Sequence, residues 1–145
     1  GGITTLEEKS LGAVQKGGGA TLTDVIDYGS RATKSGLTLL EAPGNDAVSS
    51  SALAAAGATM ILFTTGRGTP LGFPVPTMKV ASNHDLAAAK PHWIDFDAMQ
   101  AFDDGPAEAD KAFLDRILAI ASGEKCAAER CGQRAIAIWK RGATL

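Results

Sequence analysis

Residues 60–74 read MILFTTGRGTPLGFP, a stretch that joins an apolar run to a polar loop. The first four residues are bulky and apolar, which is typical of a buried strand. Three threonines, one arginine and three glycines follow within the next nine residues. A buried strand that continues into such a loop commonly delivers polar groups to a ligand. The stretch therefore predicts a ligand-binding loop at the carboxyl end of a strand.

The segment before this loop predicts a strand, a helix and a second strand. Residues 36–42 have the apolar bulk of a strand and are followed by Pro43-Gly44. Asn45 or Asp46 can cap a helix that runs through Ala56 and is closed by Gly57. A βαβ unit of this length favours parallel pairing of its two strands with a right-handed crossover. The carboxyl ends of both strands would then share one edge, so residues 43–46 should lie beside the 64–72 loop.

The remaining pattern predicts a single α/β domain over residues 1–145. A first helix should run to about Lys16, with Leu6, Leu11 and Val14 facing inward; residues 22–28 have no clear period. Further strands are predicted at 76–81, 93–96 and 135–139, and helices at 85–90 and 107–121. The last of these helices should begin with Pro106 in its first turn and bury Phe113, Leu114, Ile117, Leu118 and Ala121. We expect a Rossmann-like three-layer domain, with a mostly parallel sheet flanked by helices.

Composition excludes several classes of protein. The formal net charge of −2 provides no electrostatic basis for binding nucleic acid or an anionic membrane. No apolar run reaches the roughly 20 residues that a membrane helix needs. Cys126 and Cys131 have neither redox nor zinc-site spacing, so we interpret them as free thiols in a cytoplasmic protein.

The glycine spacing of the loop excludes the familiar nucleotide sites. The run GRGTPLG (66–72) is one residue too long for a dinucleotide fingerprint, and three prolines nearby prevent the helix that should follow. The chain has no Walker loop and no Gly-x-Ser-x-Gly nucleophile elbow. What remains is an anion site, in which Arg67 offers a planar fork of donors to a carboxylate.

Polar groups near this edge are the candidate site residues. The candidates for substrate binding are Asn45, Asp46, Thr64, Thr65, Gly66, Arg67, Gly68, Thr69 and Asn83, and those for catalysis are Lys79 and His84. Each has a structural alternative: helix caps, turn hydrogen bonds, a surface or interdomain ion pair, an edge strand or a helix start. Asp95 and Asp97 have the spacing of a carboxylate pair for a metal. Because no histidine partner is assigned to them, we interpret them as a solvated strand face.

Five ordered strings resemble one known family. They are GITTLEEKSLG (2–12), APGND (42–46), FTTGRGTP (63–70), VPTMKVASN (75–83) and WIDF (93–96). Together they resemble the carboxyl-terminal domain of the altronate/galactarate dehydratases, and residues 45–46 and 74–76 are more similar to the altronate branch. The resemblance covers nearly the whole chain and weakens after Ala98.

This resemblance implies a hydro-lyase that removes water from a sugar acid to give a 2-keto-3-deoxy acid. For altronate the product would be 2-keto-3-deoxygluconate, in hexuronate breakdown. It also implies a divalent metal, Fe²⁺, whose ligands are unknown and can lie outside this chain. Further domains would precede this one, so the chain would be a carboxyl-terminal fragment that is inactive by itself; a homo-oligomer is compatible with this. The alternatives are a galactarate dehydratase domain, a non-catalytic packing or oligomerisation domain, and a stand-alone small-molecule-binding module.

Overall fold

The computed structural model of the chain describes residues 5–140, apart from the side chains at positions 6, 8, 9, 10 and 13. Its elements are, in order, α1 (Leu6–Lys16), β1 (Leu22–Ile26), β2 (Leu37–Leu40), α2 (Asp46–Ala56), β3 (Ile61–Thr65), β4 (Thr77–Ala81), α3 (His84–Ala89), β5 (Phe96–Asp97), α4 (Gln100–Asp103), α5 (Pro106–Ala121) and α6 (Ala127–Arg130). All of the strand pairs among the described residues are parallel. This arrangement confirms the predicted class, a Rossmann-like three-layer α/β fold with parallel strands flanked by helices.

The strands form two sheets instead of the single sheet that we predicted. One sheet contains β1 and β2, and the other has the order β3-β4-β5. Strands β2 and β3 flank α2 without pairing with each other, so the predicted pairing within the βαβ unit is wrong. The partner of β2 is β1, whose period of 2 is broken by an irregularity between Leu22 and Asp24. Because that strand was not recognised, β3 was the only partner that the pattern offered to β2.

Helix α2 begins and ends where the sequence predicts. The Asn45 side-chain oxygen accepts hydrogen bonds from the backbone N–H groups of Ala47 and Val48, at 3.1 and 3.2 Å. Gly57 ends the helix in a left-handed conformation, with φ of 110°. The predicted position of Pro106 in the first turn of α5 is also confirmed.

Strand β4 is the centre of the three-stranded sheet, and all of its residues are buried. Met78 and Val80 belong to a core cluster with Ile120 of α5 and with residues of the α6 region. On the opposite face, Ala81 packs with Leu86 of α3 and with Ile94. The predicted inner stripe of α5 is therefore only partly right: Phe113 and Ile117 pack against the core, whereas Leu114, Leu118 and Ala121 are exposed.

The predicted inward face of α1 is wrong for the two residues that can be assessed. Leu11 and Val14 are largely exposed, and the side chain of Leu6 lies outside the described residues. The predicted helix itself is confirmed, but a local sequence pattern cannot tell which partner covers its apolar stripe. None of the helices among the described residues is long and apolar enough to cross a membrane.

Residues 135–139 do not form the predicted strand. The N–H group of Ala135 donates to the carbonyl of Gly72, at 2.7 Å. The N–H group of Ala137 donates instead to the hydroxyl of Ser51, and that of Trp139 to the hydroxyl of Tyr28. Two of these acceptors are side chains, so this segment, which we call the carboxyl-terminal strap, crosses other elements without joining a ladder.

Candidate functional site

The carboxyl ends of β3, β4 and β5 lie in one row at a single edge of the sheet. Thr65 is opposite Ala81, and Ala81 is opposite Asp97. Because the three strands are parallel, the segments that follow them all leave from this edge. We call it the carboxyl edge. It brings together the loop that follows β3 (residues 66–72), the start of α3 and the end of β5. We call the first of these the Arg67 loop.

Asn83 links the first two of these segments. Its side-chain Nδ2 donates to the carbonyl of Gly66 at 2.9 Å. Its Oδ1 accepts from the N–H group of Leu86 at 2.9 Å and so caps α3. The predicted site residues Gly66, Asn83 and His84 therefore lie at one edge, as parallel pairing of β3 and β4 requires.

Hydrogen bonds that the threonine hydroxyl oxygens accept hold the loop in shape. The Thr65 hydroxyl oxygen accepts from the N–H group of Gly68 at 2.9 Å, and that of Thr69 accepts from the N–H group of Leu71 at 3.2 Å. Gly68 has φ of 82°, and a Cβ atom there would lie 2.7 Å from a methyl group of Leu86. Thr65, Gly68 and Thr69 thus have structural roles in the loop, which leave the threonine hydroxyl protons free to donate.

Arg67 and Thr64 have exposed side chains. Arg67 forms no hydrogen bond or ion pair with any residue from 5 to 140. The alternative interpretation of Arg67, a surface ion pair, therefore has no partner within the part of the chain described. The guanidinium group is available to an anion that approaches the carboxyl edge.

His84 lies between two carboxylates at the same edge. Its Nδ1 is 2.7 Å from Oδ2 of Asp97, and its Nε2 is 3.0 Å from Oδ2 of Asp103. The other oxygen of Asp97 accepts from the N–H group of Met99, which orients the carboxylate. This geometry favours the imidazolium form, in which both ring nitrogens donate to carboxylate oxygens.

The electrostatics of His84 agree with this geometry. The hydrogen bond to Asp97 is the largest influence and raises the pKa of His84 above its usual 6.5; the charges of Asp103, Asp97 and Asp85 add to it. Our sequence interpretation missed both partners of His84. Asp97 could have been recognised, because it ends a strand parallel to β4 and so must lie at the edge where His84 begins α3. Asp103 carries no such signal.

Lys79 lies on the same face of β4 as Ala81, two residues before the carboxyl edge. It is completely buried, and its Nζ has no hydrogen-bond partner among the described residues. Burial lowers the pKa of Lys79, while the nearby Asp95 carboxylate and the thiols of Cys126 and Cys131 partly oppose that effect. An amine in this setting loses its proton more readily than an exposed lysine does.

Asp95 and Asp97 do not form the solvated strand face that we predicted. The side chain of Asp95 is fully buried, and one oxygen accepts from the N–H group of Lys79 at 3.0 Å. The other oxygen accepts from the N–H group of Ala127 at 2.8 Å and from Arg116 at 3.2 Å. Asp95 is therefore a structural carboxylate that joins β4, α5 and α6, whereas Asp97 belongs to the carboxyl edge.

Asn45 and Asp46 follow β2, which belongs to the other sheet. The side-chain oxygen of Asn45 is used in capping α2, and Asp46 occupies the first turn of that helix, where a carboxylate is favourable. The prediction that residues 43–46 share an edge with the Arg67 loop through strand pairing is therefore wrong. Their predicted contact with substrate stays a prediction.

The metal implied by the family resemblance has no evident site in this part of the chain. Among residues 5–140, no group of three or more histidine, cysteine, aspartate or glutamate side chains converges to hold an ion. His84, Asp97 and Asp103 come nearest in composition, but each ring nitrogen is occupied by a carboxylate partner. The described residues do not fit an iron site.

Comparison with known proteins identifies the family. The family model described as "D-galactarate/Altronate dehydratase, C-terminal" matches residues 1–144. The chain is 54% identical over 147 residues to altronate dehydratase of Escherichia coli (strain K12) and 53% identical to that of Bacillus subtilis (strain 168). It is 40% identical over 96 residues, 66% of the chain, to galactarate dehydratase (L-threo-forming) of Escherichia coli (strain K12) and covers 18% of that protein.

The extent of these matches defines what the chain represents. Both altronate dehydratases are matched over 100% of this chain, which spans only 30% of their length. The similarity thus includes the whole carboxyl edge described above and none of the larger remainder of those enzymes. The chain therefore belongs to the D-galactarate/altronate dehydratase family and corresponds to its C-terminal region.

Proposed function

We propose that this chain is the carboxyl-terminal part of a hydro-lyase that converts D-altronate to 2-keto-3-deoxy-D-gluconate and water in hexuronate breakdown. Identity of 54% and 53% with altronate dehydratases supports this substrate over galactarate. The structural observation that carries the proposal is the exposed Arg67 guanidinium. It has no partner among the described residues and lies on a loop tied by Asn83 to the start of α3. We propose that it binds the carboxylate of the sugar acid.

Dehydration next to a carboxylate needs a base, an electrophile and an acid. A base removes the proton from C2, the C3–O bond breaks as the departing hydroxyl group is protonated, and the resulting enol becomes a ketone at C2. Arg67 would stabilise the negative charge that develops on the carboxylate side. Thr64, Asn83 and the backbone of Gly66 would contact the substrate hydroxyl groups.

His84 is suited to act as the acid. Asp97 and Asp103 contact the two ring nitrogens, and the raised pKa of His84 favours the protonated ring that an acid requires. Asp103 is half exposed and would give way when Nε2–H turns to the departing hydroxyl group. Asp97 is more buried and would hold the ring through Nδ1.

Lys79 is the base that this chain offers. Its lowered pKa favours the neutral amine that a base requires. Because the Lys79 amine has no exposed surface, the residues that pack against this face of β4 would have to move when substrate binds. A base from another part of the enzyme is the competing proposal.

The proposal extends to the full-length enzyme of which this chain would be a part. We infer that iron(II), if the family's metal dependence holds here, is bound by ligands beyond residues 5–140. The isolated chain would then be inactive, and the complete enzyme would work in the cytoplasm, where homo-oligomers are compatible with the proposal. Galactarate is the second candidate substrate, supported by the 40% identity to galactarate dehydratase. A domain that only packs against its neighbours is the non-catalytic alternative.

Arg67→Ala in the full-length enzyme tests the proposed carboxylate contact. Loss of one charge-assisted contact should lower kcat/KM for altronate by about 10- to 100-fold, and Arg67→Lys should restore part of it. Steady-state kinetics with altronate and with galactarate, in the presence of iron(II), provide the measurement.

Arg31→Ala is the matched control, since Arg31 is also exposed but lies near Gly57, away from the carboxyl edge. It should leave the kinetics unchanged. Wild-type kinetics in Arg67→Ala would reject the role of Arg67, and no turnover of either sugar acid by the unsubstituted enzyme would reject the dehydratase proposal as a whole.

A further inference from the structure

The two-stranded sheet has an apolar side that stays exposed among residues 5–140. Its inner side, with Ile26, Thr38 and Leu40, shares a cavity of about 220 Å³ with residues of α2. Side chains alternate along a strand, so the neighbouring residues point the other way. Val25 and Leu39, which are directly opposite each other in the ladder, are 64% and 53% exposed.

The end of α1 extends this apolar side into a concave surface. A cavity of about 250 Å³ is lined by Val14, Gly17, Gly18, Ala20, Leu22, Leu37 and Leu39, and none of these residues is charged. Val14 is 72% exposed and belongs to the stripe of α1 that we expected to face inward. We call the surface formed by Val14, Leu22, Val25, Leu37 and Leu39 the outer apolar face.

A parallel sheet is rarely stable with one side in water. Parallel strands occur almost entirely in sheets that are covered on both faces, and a two-stranded sheet alone is marginal. Contiguous exposed apolar surface commonly marks an interaction site. The outer apolar face therefore has the composition of a core from which one layer is missing.

The length of the related enzymes indicates what the missing layer is. The chain spans 30% of the altronate dehydratases it matches, which leaves 70% of each polypeptide beyond it, and the family model describes the matched part as C-terminal. The remaining polypeptide would therefore join this chain ahead of α1, whose exposed stripe borders the outer apolar face. A covalent tether at this point gives that polypeptide a higher effective concentration than a second molecule has.

We propose that the outer apolar face is the docking surface for the amino-terminal portion of the same polypeptide, which contributes an apolar layer over β1 and β2. This inference depends on the proposal that the chain is part of a longer enzyme. It does not depend on the roles of Arg67 or His84, so it stands or fails separately from the chemistry.

Hydroxyl-radical footprinting of the unsubstituted full-length enzyme tests the proposal without any substitution. Val25 and Leu39 should be oxidised at least several-fold more slowly than in the 145-residue chain, where both are exposed. The protection should not change on dilution, because an intramolecular contact is independent of concentration. Oxidation at the rates of exposed side chains would reject the docking surface, and protection lost on dilution would assign it to a second copy.

The double variant Val25→Glu/Leu39→Glu supplies an independent measurement. In the full-length enzyme it should lower the unfolding temperature by several degrees or split unfolding into two transitions, because two charges would be buried without partners. Ile136→Glu/Ile138→Glu is the matched control, since these residues are 68% and 82% exposed on the carboxyl-terminal strap. Unfolding of the Val25/Leu39 variant at the wild-type temperature would contradict the proposal.

Discussion

Two aspartates that are two residues apart show how position determines the role of a carboxylate. Asp95 is buried and accepts hydrogen bonds from two backbone N–H groups and from Arg116. Asp97 reaches the carboxyl edge and pairs with His84. The first carboxylate stabilises the packing of helices on the sheet, and the second controls a titratable group at the candidate site. The sequence spacing of the two residues indicates neither role.

The protonation of His84 can be measured directly. We expect NMR titration of the 145-residue chain to give a pKa for His84 above 6.5, because Asp97 and Asp103 stabilise the imidazolium. Asp97→Asn should lower that pKa, since the amide keeps the hydrogen-bonding shape but loses the charge. The interaction stabilises the fold below pH 6.5, and its contribution is lost as the pH rises through the folded-state pKa.

Asp104→Asn is the control for this titration, because Asp104 adjoins Asp103 but is not a partner of His84. It should leave the pKa of His84 nearly unchanged. A His84 pKa at or below 6.5 in the unsubstituted chain would show that the two ion pairs do not form in solution.

At the scale of single elements, helix α2 shows how local chemistry sets boundaries. One asparagine oxygen satisfies two backbone N–H groups at its start, and a left-handed glycine ends it. Strand β4 shows the opposite case, because its burial on both faces depends on elements distant in the sequence.

Asn45→Ala distinguishes a cap from a substrate contact. Loss of the cap should reduce the free energy of unfolding by about 1 kcal/mol, and Asn45→Asp should retain most of it, because aspartate caps equally well. Denaturant unfolding of the 145-residue chain measures both variants. Unchanged stability in Asn45→Ala, with loss of activity in the full-length enzyme, would instead favour the substrate contact.

The sequence predicted elements better than it predicted their partners. Glycines, prolines and caps marked α2, α5 and β4, because these signals act within a few residues. The partner of β2 was mistaken because an irregularity hid β1. The carboxyl edge was foreseen for Arg67, Asn83 and His84, since parallel strands alone bring their ends together. The isolation of Asn45 and the burial of Lys79 depend on tertiary packing, which local patterns do not encode.

At the scale of the whole molecule, the carboxyl-terminal strap connects the two sheets. It bonds to Gly72 beyond β3, to Ser51 in α2 and to Tyr28 beyond β1. The rings of Tyr28 and Trp139 also meet edge to face, with centroids 5.5 Å apart. Few other hydrogen bonds among the described residues cross between the sheets; one joins the N–H group of Ala32 to the carbonyl of Ala56.

Tyr28→Phe removes the acceptor for the strap at one end. The free energy of unfolding should fall by about 1 kcal/mol, the usual contribution of one hydrogen bond, while the ring contact with Trp139 remains. Hydrogen exchange at the Trp139 amide should become faster, and exchange at Ala135, which bonds to Gly72, should not change. Unaltered exchange at Trp139 would show that the strap does not depend on this bond.

The position of Asp95 has a consequence for the order in which the chain assembles during synthesis. Lys79, which carries one of the donors to Asp95, is synthesised 16 residues before the aspartate. Arg116 and Ala127, which carry the other donors, are synthesised 21 and 32 residues after it. Until the ribosome has released α6, the carboxylate cannot be buried without a large desolvation cost. The nascent chain that already carries Arg67, Asn83 and His84 must therefore wait for α6 before the side chain of Asp95 can take its buried position beside β4.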